Sequence, residues 1–202
     1  KEVLIDISVL NSLPRKEIRS GYAEIIKHAL IKDYAFFNWL EKNANKLLNL
    51  NKSILEQAIY KSIMIKLYYV IKDEKEFLSN NNSRAMLNFG HTIGHAIESH
   101  YNYQKFNHGE AISIGMITEA KISNYLGLLS SKELEKIIIH FKKCRLKIYD
   151  KILKDRILIK ILAKDKKNFQ NNINFSLIKQ IGSSIFYKKL DKDQVYKILK
   201  NI

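Results

Sequence analysis

The feature that most constrains the fold is the spacing of apolar residues, which recur three and four positions apart over long segments. Such spacing places apolar side chains on one face of an α-helix. Only seven Gly and one Pro occur in 202 residues, so helix-breaking positions are few. The sequence therefore predicts a mainly α, multihelical fold with a sizeable core. The clearest helical segments are Tyr34–Leu50, with Phe37, Leu40, Ala44, Leu47 and Leu48 in phase, and Ile54–Ile71, with Leu55, Ile59, Ile63 and Leu67 in phase.

Local signals place the ends of further helices. Pro14 stands where proline is favoured, at a helix start, and Gly127 stands where glycine favours a helix end. Gly90 and Gly94 interrupt another segment that is still expected to be one helix. The further helices are expected at Arg15–Lys32, Ala85–Ser99, Gly109–Leu126, Lys132–Cys144, Lys151–Asp165 and Asp191–Leu199.

Two short β elements complete the expected fold. Val3–Ile7 is a short apolar run with the composition of a strand. Ile173–Leu177 and Ser184–Tyr187 flank Gly182, which indicates a small hairpin. Because the chain does not begin with Met and opens on this short strand, we expect it to be the C-terminal piece of a longer protein.

The composition limits the classes of partner. Lys and Arg number 35 against 20 Asp and Glu, a net charge of +15, but the basic residues are scattered with acidic residues between them. That pattern is typical of a solvated surface, so we expect no nucleic acid and no membrane as partner, while a small phosphorylated anion stays open. No apolar run of about 18 residues is present to span a bilayer. The single Cys144 excludes an internal disulfide and fits a reducing, cytoplasmic location.

Four of the six histidines fall between positions 91 and 108. His91, His95 and Glu98 share one helical face, because residues three and four apart are neighbours on a helix. Two histidines at this spacing can bind a divalent metal ion, although such a pair on a polar face is often only solvated. Gly90 and Gly94 lie beside them at a cost of about 1 kcal/mol each relative to Ala, which favours a bound ligand or a close backbone here.

Further candidate ligands lie elsewhere in the chain. His108 stands at the start of an apolar helix, and Glu24 lies among apolar neighbours, so its carboxylate is expected to point inward and complete a ligand set. Lys27 is one turn from Glu24, and an exposed ion pair between the two is the alternative. A cationic cluster is also available, although each member alone is typical of a surface charge; its members are Lys66, Arg84, Lys164, Lys166 and Lys167.

Six segments together carry a specific resemblance. They are LPRKEIRSGYAEIIK (13–27), KLYYVIKDEKE (66–76), RAMLNFGHTIGHAIE (84–98), HGEAISIGM (108–116), DKK (165–167) and INFSLIKQIG (173–182). In this order, and over nearly the whole chain, they resemble the C-terminal domain of the 3-dehydroquinate synthase family of sugar phosphate cyclases. The combination is far more specific than any single motif.

The resemblance implies roles for individual residues. Glu24, His91 and His108 match the ligands of a divalent metal ion, zinc or cobalt, whereas His95 matches a residue outside the ligand set. His95 and Glu76 match residues that accept protons. The residues that match positions holding the substrate's carboxylate, hydroxyls and phosphate are Lys27, Lys66, Arg84, Asn88 and either Lys166 or Lys167.

The resemblance also implies NAD as a cofactor, with Ser12 near the nicotinamide. Residues 1–12 are then the tail of an N-terminal nucleotide-binding domain, and residues 13–202 form the helical metal- and substrate-binding domain. No Gly-rich turn for a pyrophosphate occurs in the chain, so NAD is expected to be bound mainly by the other domain, and the chain alone to be inactive. A homodimer is expected for the full-length form. The chain departs from the family by extra residues in the Asn-rich stretch 79–83.

The implied activity is that of an NAD- and metal-dependent lyase of the shikimate pathway. It would convert 3-deoxy-D-arabino-heptulosonate 7-phosphate, a phosphorylated sugar acid, into 3-dehydroquinate and phosphate. Two alternatives share the architecture: another sugar phosphate cyclase and a metal-dependent polyol dehydrogenase. A third, from a different class, is a noncatalytic basic helical module.

Overall fold

The computed structural model describes residues 4–164 and 172–202. This part of the chain contains eight α-helices, three short 3-10 helices and one two-stranded sheet. The α-helices are α1 (Arg15–Lys32), α2 (Tyr34–Leu48), α3 (Lys52–Lys72), α4 (His91–His100), α5 (His108–Tyr125), α6 (Ser131–Lys143), α7 (Arg156–Lys164) and α8 (Lys192–Asn201). The 3-10 helices are Ile7–Ser12, Arg84–Asn88 and Lys151–Lys154, and the strands are β1 (Asn172–Gln180) and β2 (Ser183–Asp191).

Side chains that cap the helices explain where several of them begin. Asp33 accepts a hydrogen bond from the Phe36 amide at the start of α2. Asn107 and Glu110 form a reciprocal capping box at the start of α5. Such caps satisfy amides that have no partner within the helix, and they stabilise a helix by about 1 kcal/mol each.

The helix α5 is the centre of the molecule. Most of its side chains are buried, and it contributes residues to both hydrophobic clusters of the core. One cluster packs α5 against α1, α2, α3 and α6. The other packs α5 against α4, α7, α8 and the hairpin. A helix that is buried on most sides is stable only when other elements cover it, which explains its central place.

The hairpin is antiparallel, with Asn172 opposite Asp191 at its open end. Gly182 forms its turn with a φ of +83°, in the left-handed region that favours glycine. The Gly182 amide donates to the carbonyl of Leu30 at 2.8 Å, and a Cβ at Gly182 would lie 2.4 Å from the Tyr34 amide nitrogen. The turn is therefore fixed against the junction between α1 and α2.

The structure confirms the mainly α fold and the small hairpin near residues 173–187, which is longer than predicted. The strand predicted at Val3–Ile7 is not formed in its described residues. Residues 4–6 have no regular structure, and a 3-10 helix begins at Ile7, where the Asp6 carboxylate accepts the Ser8 amide.

Two predicted helices are each divided. The segment Ala85–Ser99 consists of a 3-10 helix and α4, separated where Gly90 takes a φ of +83°, which no α-helix allows. The described part of the segment Lys151–Asp165 consists of a 3-10 helix and α7, separated at Asp155, which has an extended backbone. The division at Gly90 is functionally important because it makes His91 the first residue of α4.

Among the described residues, none of the helices combines the length and the apolar character that crossing a membrane requires.

Candidate functional site

Three helices bring together Glu24, His91 and His108. Glu24 lies in the middle of α1, while His91 and His108 are the first residues of α4 and α5. The Nε2 atoms of His91 and His108 lie 3.7 Å and 3.9 Å from Glu24 Oε1. One ligand atom from each residue lies within 4.8 Å of the other two, which is the arrangement that a metal ion between them requires.

The two oxygens of the Glu24 carboxylate differ in their contacts. Its Oε2 accepts a 2.6 Å hydrogen bond from Lys27 Nζ. Its Oε1 is buried and has no hydrogen-bond partner in the described part of the molecule. Burial acts to raise the pKa of Glu24, but the charge and hydrogen bond of Lys27 outweigh it and hold the pKa below its ordinary value. Glu24 therefore offers an ionised oxygen toward the two histidines, as a cation would need.

Both histidines are oriented through their second ring nitrogen. His91 Nδ1 donates to the Phe89 carbonyl at 3.2 Å, and His108 Nδ1 donates to the buried carboxylate of Glu98 at 3.0 Å. Burial lowers the pKa of His91 to about 2, so this imidazole is neutral at physiological pH. A neutral imidazole with Nδ1 bonded to a carbonyl or carboxylate is the usual form of a metal-binding histidine. The donor set fits zinc or cobalt.

Glycines allow the three helices to come this close. A Cβ at Gly109 would lie 2.3 Å from the Cα of Ser20 in α1, and a Cβ at Gly115 would lie 1.9 Å from the carbonyl oxygen of Gly90. Real Cβ atoms do not approach backbone so closely, so any other residue would separate the helices. The close backbone that the sequence suggested around Gly90 and Gly94 is therefore confirmed.

His95 lies beside the three ligand candidates, with its ring centre 5.2 Å from that of His91 and 6.1 Å from that of His108. It also forms a second possible ligand group with Glu98 and His108. In that group, Glu98 is already bonded to His108 Nδ1, as a carboxylate that orients a ligand would be. The pattern therefore favours Glu24, His91 and His108 as the ligand set and leaves His95 next to it.

A cavity of about 350 Å³ opens beside His95. Its walls include Thr92 and Ser99 of α4 and Lys164, the last residue of α7. The cavity therefore joins the exposed side of the histidine cluster to one of the cationic residues that the sequence singled out.

Basic side chains lie near the Oε2 atom of Glu24. Lys27 is only 3% exposed. Burial lowers the pKa of Lys27, and the nearby charge of Lys66 lowers it further. Burial likewise lowers the pKa of His28 to about 3, with contributions from Lys27 and Lys66, and His28 Nδ1 lies 2.6 Å from Ser62 Oγ. Lys66 thus lies near Lys27, although the two are far apart in sequence.

Arg84, Asn88 and Glu76 lie together in the segment that leads to His91. Asn88 Nδ2 donates to Glu76 Oε1 at 3.0 Å, and Arg84 Nη1 donates to the Glu74 carbonyl at 3.0 Å. Glu76 has a φ of +57°, a left-handed conformation that is uncommon for residues other than glycine. The contacts join Glu76 to Asn88 and Arg84 to the Glu74 carbonyl.

Asp73 fixes the loop that contains the Asn-rich stretch 79–83. Its carboxylate accepts hydrogen bonds from the amides of Phe77, Leu78 and Arg84 and from the hydroxyl of Ser83. Burial acts to raise the pKa of Asp73, but these hydrogen bonds outweigh it and lower the pKa. Sequence reasoning did not single out Asp73, because a lone carboxylate at a helix end has no distinctive pattern.

The remaining predicted residues are not placed in the cluster. Ser12 ends the first 3-10 helix, and its hydroxyl donates to the Val9 carbonyl in its own turn. Lys166 and Lys167 lie outside the described residues.

Glu119 is a residue of the site region that the sequence analysis missed. It is fully buried on α5, and its two oxygens accept hydrogen bonds from the amides of Gly90 and Ile93. Burial raises its pKa to about 8, even though these amides act to lower it. A lone carboxylate inside the apolar run of α5 was the signal that could have identified it.

Comparison with known proteins places this geometry in a family. The sequence profile described as "3-dehydroquinate synthase C-terminal" matches residues 21–168. The chain belongs to this family. The matched range contains four of the six sequence segments in full, and it contains all three ligand candidates.

Curated relatives of the family are similar over almost the whole chain. A 3-dehydroquinate synthase from Thermodesulfovibrio yellowstonii is 41% identical over 98% of this chain and 54% of its own length. One from Thermoanaerobacter pseudethanolicus is 38% identical over 99% of this chain and 55% of its own length. The chain thus spans about half the length of the curated relatives it matches.

Solved structures share the fold at lower sequence identity. A 2-epi-5-epi-valiolone synthase from Streptomyces hygroscopicus subsp. jinggangensis 5008, with NAD+ and Zn2+ bound, has a TM-score of 0.84 at 22% identity. The similarity covers 98% of this chain and 54% of that chain. A 2-deoxy-scyllo-inosose synthase complexed with carbaglucose-6-phosphate, NAD+ and Co2+ has a TM-score of 0.63 at 22% identity, over 96% of this chain and 55% of that chain. At such identities the likeness shows the fold alone.

Proposed function

We propose that residues 13–202 form the metal- and substrate-binding part of a 3-dehydroquinate synthase. The observation that carries the proposal is the convergence of Glu24, His91 and His108 around a buried carboxylate oxygen that has no hydrogen-bond partner among the described residues. Family membership and relatives of 38–41% identity with that name support the reaction. The other cyclases are only 22% identical, so their substrates are the weaker alternative.

The reaction proposed is conversion of 3-deoxy-D-arabino-heptulosonate 7-phosphate into 3-dehydroquinate with release of phosphate. We extend to the whole protein the NAD+ and the divalent metal, zinc or cobalt, that the solved cyclases bind. A bound metal ion supplies Lewis-acid chemistry, which lowers the pKa of an alcohol that it contacts. We also propose a homodimer for the whole protein, and Ser12 as a residue near the nicotinamide.

The chain's own residues have separate tasks in this proposal. Lys27, held against Glu24, keeps that carboxylate ionised, as a ligand must be. Lys66 adds a second positive charge nearby, and such a cluster attracts and orients an anionic substrate. Arg84 has a planar guanidinium suited to two-point contact with a phosphate or carboxylate.

Two residues are proposed to move protons. His95 lies at the open side of the histidine cluster and beside the cavity, so it is placed to take a proton from a substrate bound there. Glu76 lies against Asn88, which holds its carboxylate by a hydrogen bond. Either Lys166 or Lys167 is proposed to complete the phosphate contacts.

The test is a turnover assay of the natural protein with NAD+, the metal ion and the heptulosonate phosphate. Phosphate release and 3-dehydroquinate formation are expected for the wild type, with at least a hundredfold loss for His91→Ala. Turnover of glucose 6-phosphate instead would assign the protein to another cyclase reaction. Turnover of an unphosphorylated polyol with NADH formation would assign it to the dehydrogenases.

A salt-dependent binding assay with duplex DNA tests the noncatalytic alternative. Tight binding that weakens as salt rises, together with no turnover of any sugar phosphate, would support a basic binding module. The proposed function predicts no such binding at physiological salt.

A further inference from the structure

A buried carboxylate lies under the first turn of the helix that presents His91. Glu119 Oε2 accepts the Gly90 amide at 2.6 Å, and Oε1 accepts the Ile93 amide at 3.2 Å. Amides of a first helical turn have no partner within the helix, and Glu119 supplies one from a different helix. Among the described residues, no lysine, arginine or histidine forms a salt bridge with Glu119. Its polar contacts are therefore directed at the start of α4.

The start of α4 cannot provide its own cap. Its N-cap residue is Gly90, which has no side chain to accept an amide. Gly90 is also required there, because its φ is +83° and a Cβ would lie 2.4 Å from Met116 Cγ and 2.9 Å from the Ile112 carbonyl oxygen. The close approach of α5 thus removes the usual cap. Glu119 replaces that cap, one helical turn after Gly115, the residue that touches Gly90.

The two amides that donate hydrogen bonds to Glu119 lie on either side of His91 in the chain. His91 is also bonded through Nδ1 to the Phe89 carbonyl, just before Gly90. The direction of its Nε2, which lies 3.7 Å from Glu24 Oε1, therefore depends on the peptide planes that Glu119 holds. Helix α5 begins with His108, so one rigid helix carries a metal ligand at its start and fixes the helix of another ligand.

We infer that Glu119 is a positioning residue for the metal site: its buried carboxyl group fixes the start of α4 and thereby aims His91 Nε2 at the metal position. This inference rests on the metal site proposed above. Glu119 itself has no exposed surface, so it acts through the backbone around His91 and not by contact with the substrate. Residues that orient metal ligands typically change metal affinity by ten- to a hundredfold when they are replaced.

The test is the variant Glu119→Gln in the natural protein. Glutamine keeps the size of the side chain but replaces one accepting oxygen with an NH2 group, which faces an amide that is itself a donor. We expect Co2+ affinity to fall by about ten- to a hundredfold, measured by competition with a chromophoric chelator well below the unfolding temperature. We also expect the visible absorption spectrum of bound Co2+ to change, because it reports ligand geometry.

Asp150→Asn is the matched control. Asp150 is 6% exposed and accepts the Ile152 amide and the Tyr101 hydroxyl, so its replacement also weakens a buried carboxylate network. Loss of stability with unchanged Co2+ affinity and spectrum is expected for this variant. An equal loss of Co2+ affinity in both variants would mean that Glu119 contributes only to general stability, and this would refute its positioning role.

The outcomes separate this inference from the proposed function. Wild-type Co2+ affinity and spectrum in Glu119→Gln, together with loss of binding in His91→Ala, would refute the role of Glu119 and leave the metal site intact. Wild-type binding in His91→Ala would instead refute the metal site itself. Hydrogen exchange on the wild-type protein needs no variant to fold: the Gly90 and Ile93 amides should exchange slowly, and more slowly with Co2+. Fast exchange at both amides in both states would overturn the inference.

Discussion

Replacement of Gly115 by Ala tests the close approach of α4 and α5. The new Cβ would lie 1.9 Å from the Gly90 carbonyl oxygen and 2.9 Å from the Gly94 amide nitrogen. Favourable contacts between heavy atoms lie near 3.5–4.0 Å, so the two helices must separate by roughly 1 Å or more. The obstructing atoms belong to backbone, so rotation of a side chain cannot relieve the contact.

The expected magnitude follows from two opposing effects. Alanine gains about 1 kcal/mol over glycine inside a helix. Overpacking typically costs about 1–3 kcal/mol, and a backbone contact of this kind belongs at the upper end or above it. We therefore expect Gly115→Ala to lower the free energy of unfolding by about 2 kcal/mol. It should also weaken metal binding, because His91 and His108 lie on the two helices that move apart.

Gly21→Ala is the matched control for this prediction. Gly21 also lies inside a helix, but it is exposed and a Cβ there would meet nothing within 4 Å. Its replacement should raise the free energy of unfolding by up to about 1 kcal/mol. Denaturant unfolding of both variants measures the difference. Equal or greater stability of Gly115→Ala than of Gly21→Ala would refute the close-packing argument.

Three further predictions concern the ligands, the pH dependence and the insertion loop. His108→Ala should abolish stoichiometric Zn2+ binding measured by equilibrium dialysis, whereas His95→Ala should retain it; the reverse result would exchange their roles. Burial lowers the pKa of His140 to about 4, so the unfolded state binds more protons between pH 6.5 and 4 and the free energy of unfolding falls as the pH falls. His140→Gln should remove up to about 3 kcal/mol of this pH dependence, measured by unfolding across that range. An unchanged pH dependence would contradict this prediction. Asp73→Asn should raise the KM for the sugar phosphate more than it lowers kcat, because Asp73 fixes the loop that carries Arg84. An unchanged KM would show that this loop does not order the substrate contacts.

The fold was predictable where periodicity determines it. Apolar spacing located α2 and α3 to within a few residues, because each buries one continuous face. It failed at Gly90, where the contact with α5 fixes a left-handed turn that no local pattern reveals. It also failed in the described part of Val3–Ile7, where Asp6, within the run, caps a 3-10 helix that begins at Ile7.

The candidate site was predictable to the extent that the family motifs carry it. Spacing alone favoured His91 with His95, because it can pair only residues that are neighbours on one helix and says nothing about distant elements. The pairing of His108 with Glu24 depends on how α1, α4 and α5 pack. The tasks of Glu98 and Glu119 depend on the same packing, so only the folded chain shows them.

Glu24 lies more than sixty residues before His91, whereas His91 and His108 begin consecutive helices. No short loop can bring Glu24 to the two histidines, so the set of three is complete only after α1 has packed against α4 and α5. A metal ion that binds there selects the folded chain over the unfolded one. A metal concentration one hundred times Kd then adds about 2.7 kcal/mol to folding, so metal supply during synthesis would influence how much native protein accumulates.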